Sequence, residues 1–309
     1  MFSLAALRTA CWATRTFHSF PGRWRLVRWI TARYDDLTRL TARSVRIARG
    51  CRMYVQPGDS QGRPVYLFGV NPRDYLTIFL EHVLEPGDCV LDVGASFGYY
   101  AIVASRLAGP NGCAHAFEAS PPILKFLREN ARLSRWQNVT VHAVAVSDRD
   151  GEAAFHIAAD ALSGLSSMRA LGEHEAGAMR VPTITIDSLL DTIPRTKLVK
   201  IDIEGAELLA IKGMERLLDR DRPFLVTDVN DAWYRELGTS AEELWELLSA
   251  RGYQTFAIGP HGLRRLERPP TRQGNIVCLP PHVPTTTVAT IQRALDRRLN
   301  HQPTARART

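Results

Sequence analysis

The sequence predicts an α/β fold built on a doubly wound, mostly parallel sheet of seven strands. Three observations predict it. Short apolar runs of strand length alternate with amphipathic stretches of helix length from residue 89 to residue 279. The run Cys89 to Val93 passes straight into a turn holding Gly94 and Gly98, then into an apolar helical stretch (Ala101, Ile102, Val103, Ala104, Leu107) that stops at Gly109-Pro110. A second strand–turn–helix junction, Lys197-Leu-Val-Lys-Ile-Asp-Ile-Glu-Gly-Ala-Glu207, repeats that pattern later in the chain.

Residues 1–60 read as a basic N-terminal extension, expected to be helical, in which aromatic and aliphatic residues (Trp12, Phe17, Phe20, Trp24, Trp29, Ile30) stand among arginines. No apolar run there approaches the roughly 18 residues needed to span a bilayer. Two readings stay open: a helical cap on the core, and a basic surface around Pro21 to Ile30 in peripheral contact with anionic membrane. The expected location is cytoplasmic, with the inner face of the membrane as the site of any such contact.

Residues 61–280 read as the catalytic domain. Arg63 to Val70 looks like a β-rich prelude, followed by a helix from Tyr75 to Leu84 and a turn at Glu85-Pro-Gly-Asp88. Strand 89–93, helix 98–108, strand 114–118, helix 121–133 and strand 139–144 come next. Residues 152–158 suggest an extra strand, and 160–180 an irregular insertion able to serve as a substrate lid. The rhythm resumes with strand Leu198 to Ile203, helix Ala206 to Leu218, strand Phe224 to Val229, helix Ala241 to Arg251 and strand Tyr253 to Ile258. A final strand, Asn275 to Leu279, returns antiparallel. Residues 281–309 form a Pro/Thr/Arg-rich tail with one helix around Val288 to Leu299 and a disordered end.

Of the +7 net charge, residues 1–52 carry +9 and residues 282–309 carry +4, which leaves the middle at −6. The catalytic region therefore lacks the basic surplus of a nucleic-acid groove. The five cysteines are scattered with no C-x-x-C pair, which argues for a reducing compartment and against a disulfide framework or zinc site. Cys89 and Cys113 read as small buried hydrophobes.

The glycine spacing selects the cofactor. A dinucleotide fingerprint needs G-x-G-x-x-G, but Gly94 and Gly98 enclose Ala95, Ser96 and Phe97, and no third glycine follows. Glu118 lies 24 positions after Gly94, where a ribose-binding acid belongs, and Asp92 offers a carboxylate for an ammonium group. These residues describe S-adenosylmethionine better than NAD.

In the second junction, period-two geometry sets Lys200, Asp202 and Glu204 on one side of the strand. Three ionisable groups there are costly to bury unless they serve each other or a ligand. Asp202 and Glu204 are the candidate base or hydrogen-bond acceptor, with Lys200 tuning the pair and Glu207 favouring a helix N-terminus. Asp228 and Asn230, near Asp202, offer oxygen donors for a Mg²⁺, but strand-end polar residues are common without one and no resident metal is expected.

Leu-Asp92-Val-Gly94-Ala-Ser-Phe-Gly98, Ala-Phe-Glu118, Ala-Val-Ser-Asp148, Thr-Ile-Asp187-Ser-Leu and Lys-Ile-Asp202-Ile-Glu204-Gly-Ala-Glu207 follow in the order seen in FkbM-family methyltransferases, which the chain resembles over about residues 60 to 280. The resemblance implies a class I methyltransferase (Rossmann-like) core and S-adenosylmethionine-dependent transfer to a hydroxyl of a sugar, glycoside, polyketide or other secondary metabolite. By position it implies that Asp92, Gly94, Ala95 and Gly98 meet the methionine end, Glu118 the ribose, and Ala145 and Val146 the adenine edge. The chain departs from the family in Ser96-Phe-Gly98, usually Asn-x-Gly, and in Glu118-Ala119, usually Glu-Pro. Three alternatives stand beside this reading: a membrane-associated protein that binds the cofactor without turnover, a methyltransferase acting on a macromolecule, and an NAD oxidoreductase.

Overall fold

The computed structural model describes residue 9 and residues 42–57, 62–69, 75–159, 165–259, 262–270 and 273–299. The expectations for the basic stretch before residue 42 and for a disordered end after residue 299 lie outside the described residues. Among the described residues no helix is long and apolar enough to cross a membrane.

The part of the basic extension within view is a hairpin, not a helix. Strands β1 (Arg43–Arg46) and β2 (Arg52–Val55) pair antiparallel, and Arg49 and Gly50 turn the chain with φ of 56° and 72°. Alternation sends Val45, Met53 and Val55 inward against Phe97, Ile102 and Ile123, while Arg46, Arg49 and Arg52 are exposed. The prelude expected as β-rich at 63–70 is instead helix α1 (Gly62–Phe68), in the same cluster. A short apolar run buried on most sides carries no period to separate helix from strand.

Helix α2 (Tyr75–Val83), β3 (Cys89–Val93), α3 (Tyr99–Ala108), β4 (Cys113–Phe117), α4 (Pro121–Arg132) and β5 (Val139–His142) follow the predicted order. Beyond β5 the chain leaves the main sheet. A two-residue strand, β6 (Ala145–Val146), runs parallel to β8 (Glu175–Ile184), which pairs antiparallel with β7 (Gly151–Ala158). Of the insertion expected at 160–180, residues 175–180 are the first part of β8, residues 165–174 belong to the connection between β7 and β8, and 160–164 lie outside the described residues.

Next come β9 (Thr196–Ile201), α5 (Glu207–Lys212) and α6 (Glu215–Asp221). The single helix expected here is broken at Gly213, where a Cβ would overlap the Ser147 carbonyl, so close approach of two backbones sets the break. Strand β10 (Phe224–Val229) leads to helix α7 (Asp231–Glu236), capped by Asn230, and helix α8 (Ala241–Ala250), capped by Ser240. Strands β11 (Gln254–Gly259), β12 (Gly262–Arg265) and β13 (Gly274–Leu279) precede helix α9 (Thr285–Leu299). This last helix is not a loose tail: Ile291 and Leu295, four residues apart on one face, are fully buried against Phe79, Phe256 and Ile258.

Among the described residues the main sheet has eight strands in the order β12-β11-β13-β10-β9-β3-β4-β5, the expected seven plus the short edge strand β12. Strands β13 and β12 run antiparallel to their neighbours; the others are parallel. The order reverses between β3 and β9, so a crevice opens beyond their C-terminal ends, where open α/β sheets bind ligands.

Candidate active site

Both glycine-bearing turns meet at this crevice. Gly94, at φ +75°, lies so close to β9 that a Cβ would overlap the Asp202 carbonyl and come within 2.8 Å of Ile203 Cγ2. The amides of Gly94 and Ala95 both donate to the Phe117 carbonyl at 3.0 Å, which pins the turn to the end of β4. Ser96 follows with φ +48°, a left-handed conformation that favours asparagine among non-glycine residues. The Ser96 amide donates to Glu118 Oε2 at 2.9 Å, and the Ser120 amide to Oε1 at 2.7 Å. Burial pushes the Glu118 carboxyl up, opposed by those amides and by Lys200. Each Glu118 oxygen has capacity left for a further donor from the cavity.

Gly98 serves the fold. It stands at the start of α3 with φ +89°, and a Cβ there would approach Leu127 Cδ1 at 2.7 Å, so it lets α4 pack against α3.

Beneath the turn lies a buried ion pair that sequence reasoning assigned elsewhere. Asp92 and Lys200 are register partners on β3 and β9, and Lys200 Nζ sits 3.2 Å from Asp92 Oδ1, with both residues under 5% exposed. Asp92 Oδ2 accepts from the Ala101 amide at 3.0 Å, while Lys200 Nζ donates to the Gly94 carbonyl at 3.3 Å. Asp202 Oδ2 is farther from Lys200, at 3.8 Å, and the Tyr100 ring centroid is 5.1 Å away. Burial works against the Lys200 charge, but Asp92 and Asp202 outweigh it and hold its pKa above the ordinary lysine value. Asp92, expected to meet a ligand, instead lies under the cavity and fixes the lysine that holds the Gly94 carbonyl.

The predicted common face of Lys200, Asp202 and Glu204 ends after its first member, because β9 stops at Ile201. Asp202 and Glu204 belong to the loop beyond, with Glu204 at φ +57° and Gly205 at φ +115°. Glu207, at the N-terminus of α5, braces this loop: its carboxylate accepts from the amides of Ile203 and Gly205 at 2.9 to 3.2 Å. Burial, then Asp202, Glu207 and Asp228, push the Glu204 carboxyl up to about 8 against the opposing charge of Arg169.

Arg169, absent from the sequence-based site, comes from the connection between β7 and β8. Its Nε donates to the Glu204 carbonyl at 3.4 Å, its Nη1 contacts Glu236 at 3.2 Å, and its guanidinium lies 4.6 Å from the Trp233 ring centroid. Only a lid position for 160–180 pointed toward it; no motif marks it in the sequence.

These parts line one cavity of about 300 Å³, within the range of small-molecule sites. Of the predicted site residues, Gly94, Ala95, Glu118, Ala145, Val146, Asp202 and Glu204 line it, whereas Asp92 and Gly98 do not. The opposite wall comes from Met53, Val55, Pro64 and Val65 of the hairpin and α1, and from Phe155, Ser166 and Met168 of the second sheet and its connection. The Mg²⁺ donor set is not assembled: Asn230 Oδ1 caps α7 through Trp233, and Asp228 Oδ2 accepts from Gln273.

A backbone turn that excludes any side chain at Gly94, beside a half-buried carboxylate with open acceptor capacity, fits an adenosyl cofactor with free ribose hydroxyls. Comparison with known proteins bears directly on this. The family model "Methyltransferase FkbM domain" matches residues 92–255. The 31-O-demethyl-FK506 methyltransferase FkbM of Streptomyces tacrolimicus is 30% identical over 247 residues, covering 69% of this chain and 90% of that protein. The hexuronic acid methyltransferase AglP of Haloferax volcanii is 27% identical over 182 residues, covering 57% of this chain and 67% of that protein. A solved FkbM methyltransferase from Methylobacillus flagellatus superposes with a TM-score of 0.40 at 18% identity, over 82% of this chain and 60% of that one. With the family model spanning more than half of the chain, this protein belongs to the FkbM family: it is a methyltransferase whose methyl donor is S-adenosylmethionine.

Proposed function

We propose that the methyl acceptor is a hydroxyl oxygen on a sugar, glycoside, polyketide or related secondary metabolite. The observation that carries this reading is Glu204, a carboxylate with raised proton affinity that faces the same cavity as the Gly94 turn and Glu118. A hydroxyl attacking a sulfonium methyl in line has to lose its proton, and a carboxylate poised near neutrality is suited to receive it. The names of the two protein relatives, one a 31-O-demethyl-FK506 methyltransferase and one a hexuronic acid methyltransferase, agree with an acceptor of this class.

Bound S-adenosylmethionine supplies an electrophilic methyl group; the chain's own residues position the partners. The backbone from Gly94 to Ser96 receives the methionine end, Glu118 accepts from the ribose, and Ala145 and Val146 flank the adenine. Asp202 accepts a hydrogen bond from the cofactor or acceptor side, and Glu204 takes the hydroxyl proton. Arg169 holds the Glu204 loop from outside and keeps that carboxylate aimed inward.

Glu118→Ala removes a charged acceptor and leaves the Ser96 and Ser120 amides without their partner, so affinity for S-adenosylhomocysteine falls about 10- to 100-fold by calorimetry. With Glu204 as base, its protonated form is inactive, so kcat/KM rises with pH and levels off above about 8. Glu204→Gln removes that limb and lowers the rate about 100- to 1000-fold. Asp202→Asn keeps the limb but moves it to lower pH, because a like charge beside Glu204 is gone. The test is transfer of labelled methyl to a small-molecule and glycan extract by wild type, Glu204→Gln and Asp202→Asn; full rate in both variants excludes a chemical role for this pair.

A further inference from the structure

At the opposite end of β3 and β4, away from the cofactor turn, a second group of chemically capable side chains comes together. Cys89 and Cys113 are direct register partners on these parallel strands, and His115, two residues along β4, faces the same side. One ligand atom from each lies within 4.8 Å of the other two. His115 Nδ1 is 3.0 Å from His142 Nε2 on β5, and the two rings stack at 5.3 Å. Cys89 is buried, while Cys113, His115 and His142 are half-buried beside the exposed Thr140, so the group opens to solvent at the sheet edge.

We propose that Cys89, Cys113 and His115 form a site for a thiophilic divalent ion, Zn²⁺, that clasps β3 to β4. Two sulfurs and one imidazole nitrogen are a recurring tetrahedral donor set, with Zn–S near 2.3 Å and Zn–N near 2.0–2.1 Å, and water is available for the fourth position. That geometry needs donors roughly 3.5–3.8 Å apart, and the three atoms here all lie within 4.8 Å of one another. His142 holds the His115 ring from behind, as partners of metal-binding histidines commonly do. No sequence spacing marks the site because its two sulfurs come from different strands and meet only through sheet register.

The ion would have a structural role, since it lies away from the cavity that holds Gly94 and Glu118. The test uses the full chain without a polyhistidine tag, reduced and stripped with a chelator. Titration with Co²⁺ is expected to develop thiolate-to-cobalt charge-transfer absorption that saturates at one ion per chain and is displaced by Zn²⁺. Cys113→Ser and His115→Gln each abolish it, and Cys51→Ser, a thiol outside the group, retains it. In wild type, Zn²⁺ at about 100 times its Kd raises the melting temperature by about 5 °C. It also protects Cys113 from alkylation, a readout that needs no variant. Absence of sulfur charge transfer, unchanged uptake in Cys113→Ser, or unchanged alkylation of Cys113 in the presence of Zn²⁺ overturns the proposal.

Discussion

Gly94→Ala is expected to abolish measurable binding of S-adenosylhomocysteine, a loss of at least about 100-fold, and to destabilise the fold by about 2–4 kcal/mol. Two effects combine. The left-handed φ of +75° costs an alanine roughly 1–2 kcal/mol. The added Cβ also overlaps the Asp202 carbonyl, so the ends of β3 and β9 must part. Gly87→Ala separates these terms, because Gly87 has φ +98° with nothing within 4 Å of its Cβ position. It should lose only about 1–2 kcal/mol by denaturant titration and bind S-adenosylhomocysteine as wild type does. Equal binding losses in the two variants would show that the close approach of Gly94 to Asp202 is unimportant.

Lys200→Met is expected to cost about 3–5 kcal/mol of folding stability, because it leaves Asp92 buried without its cation and releases the Gly94 carbonyl. By contrast, Lys212→Met breaks a pair with Glu243 in which both side chains are more than a third exposed, and should cost less than about 1 kcal/mol. The double variant Asp92→Asn with Lys200→Met should recover part of the stability by removing the unpaired charge. Its cofactor affinity should stay low, since nothing then holds the Gly94 carbonyl. Guanidinium unfolding with calorimetry reads both quantities; recovery of affinity along with stability would mean that the ion pair supports the fold without shaping the turn.

The stretch from Cys89 to His142 was legible because glycine, proline and strong periodicity punctuate it, and its elements fall within two residues of their expected bounds. The first hairpin was not. Arginines at 43, 46, 49 and 52 repeat every three residues and imitate a helical face, while the deciding alternation of Val45, Met53 and Val55 is only a few residues long. Strand β8 was hidden because much of it is solvent-exposed and it contains Gly177 and Pro182, both of which read as loop.

The candidate site divides in the same way. The turn, Glu118 and the Asp202–Glu204 pair were readable as residue types at fixed spacing. The partner of Asp92 was not, because β3–β9 register places Lys200 against it although the two are 108 positions apart in the chain. Arg169 donates to the Glu204 carbonyl and lies over the Trp233 ring, and contacts between residues so far apart in the chain leave no local signature.

Alkaline stability of the transferred label tests the central claim most directly. After turnover with methyl-labelled S-adenosylmethionine and the cell extract, the product is treated with mild base and the volatile fraction is counted. Transfer to a hydroxyl forms an ether, so the label should stay with the non-volatile product, and Glu204→Gln should form that product about 100- to 1000-fold more slowly. Release of the label as methanol would show a methyl ester, which would contradict hydroxyl methylation with Glu204 as its base.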